Sequence, residues 1–114
     1  RFAVSTDGRR FGPARRLHVS ATSIPDNARM AVDPAGRAVV VWEESTAVRR
    51  RILLRYTVDA GRTLSPVHVL SRAIKAYAPD VAFAGDGRFL VAWHEEQFPS
   101  LKTVVQPLRL PVAR

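Results

Sequence analysis

Residues 31–44 and 82–96 carry one pattern twice. In the first copy, Ala31-Val32-Asp33-Pro34-Ala35-Gly36-Arg37 leads into Ala38-Val39-Val40-Val41-Trp42 and ends in Glu43-Glu44. In the second, Ala82-Phe83-Ala84-Gly85-Asp86-Gly87-Arg88 leads into Phe89-Leu90-Val91-Ala92-Trp93 and ends in His94-Glu95-Glu96. Trp42 and Trp93 lie 51 positions apart. A second set of markers agrees: Gly8 and Gly61 are 53 apart, Pro13 and Pro66 follow them, and Ser20 and Ser71 close the segments beyond. A fixed period of this length marks a repeat architecture, in which each period is one supersecondary unit that buries its faces on its neighbours.

Each period reads as four short β segments. Residues 1–5 are the end of a strand, 14–20 its return, and 21–27 a polar connection. Then come strands at 28–32, 38–43, 51–58 and 65–70, a further connection that includes Lys75-Ala76-Tyr77-Ala78, and strands at 80–84, 89–95 and 103–110. Val, Ile, Tyr, Phe and Trp concentrate in these runs, and Gly, Pro, Asp and Ser punctuate them. No helical periodicity is present. The unbroken apolar run at 39–42 demands burial on both faces, where a two-sheet sandwich favours strict alternation. Four antiparallel strands about every fifty residues, with a central strand buried on both sides, describe a blade of a β-propeller. The expected fold is therefore all-β, a propeller fragment of about two to two and a half four-stranded antiparallel blades. Residues 1–20 end one blade, 21–71 make a complete one, and 72–114 begin a third. Propellers close with about four to eight blades, so this length does not close a ring. Arg1 already sits inside a strand, which reads as a segment of a longer chain.

The two hairpin tips carry their own signature. In Thr57-Val58-Asp59-Ala60-Gly61-Arg62-Thr63-Leu64, Asp59 can accept from the amides of its own turn and Gly61 can take a positive φ. Leu64 is expected to pin the returning strand to a core. Ser5-Thr6-Asp7-Gly8-Arg9-Arg10-Phe11 is an imperfect copy, one residue shorter between its Asp and its Gly. The longer copy resembles the Asp-box, or bacterial neuraminidase repeat, of sialidase-like propellers: Ser/Thr-x-Asp-x-Gly-x-Thr followed by an aromatic, with Leu64 in the aromatic place. The shorter copy keeps Ser5, Asp7, Gly8 and Phe11. The resemblance implies that the box joins the third and fourth strands of a blade and acts as a folding device. It also implies that Thr57, Asp59, Gly61, Thr63 and Leu64 are structural and that neither Asp is a general acid.

Catalysis in that family rests on three Arg that clamp a carboxylate, a Tyr nucleophile activated by a Glu, and an Asp acid/base. The Arg-Ile-Pro motif that usually supplies the first clamp Arg does not occur; Ile24-Pro25 follows Ser23. No catalytic residue is assigned. Glu43-Glu44 and Glu95-Glu96 have the look of a glycosidase pair. A catalytic pair is unique in a ring, however, and these recur, so they are expected to be solvated strand ends. Trp42 and Trp93 are expected in the core, and Tyr56 between sheets. His18, His68 and His94 show no metal-ligand spacing, so no metal and no cofactor is expected. Departures from a repeat are where function can sit, because scaffold needs are shared by every unit. Lys75-Ala76-Tyr77-Ala78 and His94 are such departures, and Tyr77 and His94 are the candidate ligand contacts.

Composition enters through charge. The formal net charge is +8, and 16 of the 18 basic residues are Arg. A basic balance favours anionic partners, but these Arg are spread along the chain among many Ala and Val, a pattern of genomic composition more than of a patch. Arg49-Arg50-Arg51 is expected to be a solvated loop. No aromatic-interleaved basic stripe marks a nucleic-acid surface. No apolar run is long enough to span a membrane, and the absence of Cys excludes disulfides and thiolate chemistry. Three readings follow. The first is a non-catalytic, secreted or cell-surface sialidase-like module that binds a glycan, another anionic ligand or a protein, or serves as scaffold. The second is a segment of an exo-sialidase or related glycoside hydrolase whose catalytic residues lie mostly elsewhere. The third is self-association through open edge strands, which would otherwise pair with the remaining blades of a parent chain.

Overall fold

The computed structural model describes residues 1–17 and 22–111. Among them are seven β-strands and no helix. The strands are β1 (Ile24–Val32), β2 (Ala38–Ser45), β3 (Arg50–Thr57), β4 (His68–Val69), β5 (Lys75–Gly85), β6 (Arg88–Gln97) and β7 (Ser100–Arg109). They form one open sheet in the order β1-β2-β3-β5-β6-β7, with β4 paired to β3 off that path. Every pairing is antiparallel except that of β3 with β5, which meet in parallel at a single register point, Arg50 opposite Lys75. The sheet is thus two antiparallel meanders, β1–β4 and β5–β7, joined at one point.

The 51-residue period survives in the register. Trp42 stands opposite Leu53 on β3, and Trp93 opposite Val104 on β7. Even the irregularities repeat. β1 slips register between Asp26 and Arg29 and β5 between Tyr77 and Asp80. Each slip holds one residue in the left-handed region, Asn27 (φ 51) or Ala78 (φ 55). These bulges correct the sequence reading. Residues 24–27 and 75–78 are not connections but the first part of β1 and β5, because one extra residue destroys the two-residue alternation by which a strand is recognised. Two other expected strands shrink. The 65–70 segment pairs only as β4. Residues 1–5 and 14–17 touch through one isolated bridge, Phe2 to Arg15, and a second bridge joins Ser5 to Phe11. The rest of the expected 14–20 strand, with His18 and Ser20, lies outside the described residues.

Burial explains why residues 38–42 of β2 are apolar without a break. Val39 and Val41 point to one face with Ile52 and Leu54 of β3, and Val40 and Trp42 point to the other with Leu53. The first face is covered by Ala76, Val81, Phe89, Val91 and Trp93 of the second meander, which together make the main core. The second face receives Leu17 from the N-terminal hairpin. Val39, Val41, Ile52, Leu53 and Phe89 are fully buried. A strand buried on both sides cannot alternate, which is the physical source of the 39–42 run. Both Trp are core residues as expected, at 3% and 2% exposure. Tyr56 packs against the main core and stacks on His68 with ring centroids 5.9 Å apart.

Candidate functional site

The hairpin tips are closed by their own side chains. At the second tip the Thr57 hydroxyl donates to Asp59 Oδ1 (2.7 Å) and accepts from the Gly61 amide (3.0 Å). Asp59 then takes the Thr63 amide on Oδ1 (2.9 Å) and the Thr63 hydroxyl on Oδ2 (2.6 Å). At the first tip the Gly8 amide donates to Ser5 Oγ (2.8 Å), and the Arg9 and Arg10 amides donate to Asp7 Oδ1 (2.8 and 2.9 Å). The shorter tip therefore closes the same kind of network with each donor one position nearer. Phe11 is 65% exposed and bridges Ser5 through its backbone. Leu64 lines a narrow gap with Phe2, Met30 and Val40.

Asp33 closes a third turn, accepting from the Ala35 and Arg37 amides (both 2.9 Å) and from the Arg37 guanidinium. The Ala60 amide donates to the Gly36 carbonyl (2.9 Å), which ties this turn to the second tip.

These bonds hold the carboxylates ionised. The Thr63 hydroxyl and amide, with the Thr57 hydroxyl, lower Asp59 from 3.8 to about 2. The Arg10 and Arg9 amides lower Asp7. Burial pushes Asp33 up, but the Arg37 and Ala35 amides and the Arg37 guanidinium outweigh it, and the net shift is downward. A carboxylate with a depressed folded pKa adds stability above its unfolded pKa, and that stability is lost as pH falls through the folded value. Thermal stability is therefore expected to fall between about pH 4 and pH 2 in part through Asp59. Asp59→Asn should lower the melting temperature at neutral pH and flatten this acid limb. A limb unchanged in the variant would remove Asp59 from it.

The acidic strand ends differ from expectation. Glu43, Glu44 and Glu95 are buried, and only Glu96 is exposed. Glu44 pairs with Arg51 directly across the ladder (2.7 Å). At the equivalent place Glu95 faces Lys102 (3.9 Å) and accepts from the Trp93 indole N–H (3.0 Å). Glu43 faces the second meander and accepts the amide of Ala78 in the β5 bulge. A carboxylate is buried only where donors meet it, and here those donors come from the next strand or the next meander. Their recurrence reflects that pairing. Arg51 is accordingly no loop residue, and Arg50 opens β3.

Tyr77 and His94 do come together. They stand opposite each other in the β5–β6 ladder, with ring centroids 5.8 Å apart. His94 Nδ1 lies 3.1 Å from Thr103 Oγ1. The Arg50 guanidinium sits 6.0 Å from the Tyr77 ring centre, a cation–π distance. Tyr77 forms one wall of an open cleft of about 530 Å³ between the 46–49 loop and the starts of β3 and β5. Arg49, Arg50 and Lys75 line it with Tyr77, and Glu96 is its one acid. Sequence reading found Tyr77 and His94 through their departure from the repeat. It marked the segment that holds Lys75 but passed over Arg49 and Arg50, because they looked like a generic basic loop.

Among the described residues no group of three His, Asp or Glu is placed to hold a metal ion. Among the same residues no helix is long and apolar enough to cross a membrane. The chain matches no protein-family model, no curated protein and no solved structure.

Proposed function

We propose that this chain is a non-catalytic binding module built as part of a sialidase-like Asp-box β-propeller, in a secreted or cell-surface setting, with a glycan or protein as its ligand. The observation that carries the reading is the recurrence of a whole meander at one spacing, bulge, Trp and buried Glu–cation pair included. One copy stacks its face on the next, and the Asp59 tip links the third strand of its unit to the fourth. Three of the four acids that resemble glycosidase pairs, Glu43, Glu44 and Glu95, hold internal partners, which argues for binding over hydrolysis. The second reading, a segment of an exo-sialidase or related glycosidase, is favoured by one feature: Arg49, Arg50 and Tyr77 share a cleft, and Arg suits a carboxylate clamp.

A fluorogenic sialoside and a glycan array separate the two. The expected result is no fluorophore release and retention of a defined subset of glycans. Release above the buffer rate overturns the non-catalytic reading. An array without retained glycans removes the glycan ligand.

A further inference from the structure

We infer that the cleft between the 46–49 loop and the start of β5 binds the tetrahedral oxyanion of a sugar sulfate or phosphate ester, through Arg49, Arg50 and Lys75. This rests on the reading of the chain as a glycan-binding module and narrows it to one site and one ligand chemistry.

Three cations converge on one cleft whose single acid is Glu96, opposite Lys75 in the ladder. The formal excess there is two positive charges, so an anion entering it meets a focused field. The other unit carries nothing comparable. Fifty-one positions away, Lys75 and Tyr77 correspond to Ile24 and Asp26, and Arg49 and Arg50 to Ser100 and Leu101. Both units share one strand order and register without these four residues at the equivalent places, so the common fold does not require them.

The site is also preformed. The Thr46 hydroxyl accepts the Arg49 amide (3.1 Å), and the Thr46 amide donates to the Arg49 carbonyl (2.7 Å), which closes the loop without help from a ligand. Arg50 Nε donates to Ser45 Oγ (3.2 Å), which steadies the guanidinium beside Tyr77. The loop backbone and Arg50 then need little ordering on binding. The volume suits a sugar of one or two rings. Its apolar face would lie on Tyr77, and Val48, 79% exposed, also lines the cleft.

The count of cations points to the ligand class. A carboxylate offers two oxygens, fewer than the three cations that line the cleft. A sulfate or phosphate ester offers three outward oxygens and can engage all three cations.

The test is a titration of the ¹⁵N-labelled chain at low salt with N-acetylglucosamine 6-sulfate, N-acetylglucosamine 6-phosphate and glucuronate. Saturable amide shifts are expected at residues 45–50, 75–77 and 96 with one or both esters. The ester that binds more tightly identifies the source. Affinity should fall at least tenfold in the Arg49→Ser/Lys75→Ser double variant and stay unchanged in Arg9→Ser/Arg10→Ser, which removes the same charge at the first hairpin tip. Equal losses in the two variants, equal binding of glucuronate, or no shifts in the cleft each overturn the site. If any of these results is found while the unmodified chain retains neutral glycans on the array, the cleft assignment fails and the binding-module reading stands.

Discussion

Phe89→Ala is expected to cost about 3–5 kcal/mol, the usual range for emptying a buried aromatic site. Small domains are stable by about 5–15 kcal/mol, so the variant should sit near the edge of folding. Phe89 is the second residue of β6, is fully buried, and belongs to the core shared by the two meanders. Its ring packs tilted on Phe83 with centroids 5.6 Å apart. A cavity there removes contacts from both meanders at once, and they share only one ladder pairing to resist separation. Urea denaturation reads the effect as a lower midpoint with an unchanged slope. Leu90 is the control. It is the next residue, points to the opposite face and is 43% exposed, so Leu90→Ala should cost less than about 1 kcal/mol. Equal losses at the two positions would mean that the face assignment of β6 is wrong.

Gly61→Ala is the second large effect, and it acts on a different joint. Gly61 has φ +85, and a Cβ built on it would lie 2.6 Å from Val4 Cγ2 and 3.1–3.2 Å from two ring carbons of Phe2. The backbone conformation alone costs an L-residue about 1–2 kcal/mol. The added methyl must also push Val4 and Phe2 away. Those residues belong to the N-terminal hairpin, which Arg15 fastens to this turn by donating to the carbonyls of Gly61 and Arg62. Leu17, at the end of the described hairpin, packs beside Trp42 and Leu53. The hairpin is therefore expected to lift and wet Trp42. The readout is a red-shifted, more quenchable tryptophan emission together with a lower melting temperature. Gly8→Ala separates the two contributions. Gly8 also has a positive φ, +75, but nothing lies within 4 Å of its Cβ position, so that variant carries only the backbone cost. A Gly61→Ala loss no greater than that of Gly8→Ala, with unshifted emission, would show that the hairpin does not rest on this turn.

Much of the molecule was legible in the chain because the repeat compares it with itself. Positions that recur at 51 residues (Trp42 with Trp93, Glu44 with Glu95) proved to occupy equivalent places in the ladder. The run at 39–42 announced a strand covered on both faces, and it is so covered. The tips announced themselves through Asp, Gly and hydroxyl spacing, since those bonds are local and need nothing beyond seven or eight residues. The bulged starts of β1 and β5 were not legible. A bulge is set by the partner strand and here by the Glu43 carboxylate reaching across from the first meander, and neither leaves a mark in the alternation.

By itself, then, the sequence determined strand content, period and turn chemistry, all of which depend on contacts a few residues apart or on self-similarity. Tertiary structure alone decided which charges are spent inside the fold and which remain free. Glu44 and Arg51 are paired across a ladder, while Arg49 and Arg50, their near neighbours in the same basic run, line a cleft with Lys75. Adjacent residues of a strand face opposite ways, and Lys75 arrives there only through the single parallel pairing of β3 with β5. A charge acquires its role from what stands opposite it, and that is fixed by long-range pairing that no local pattern encodes.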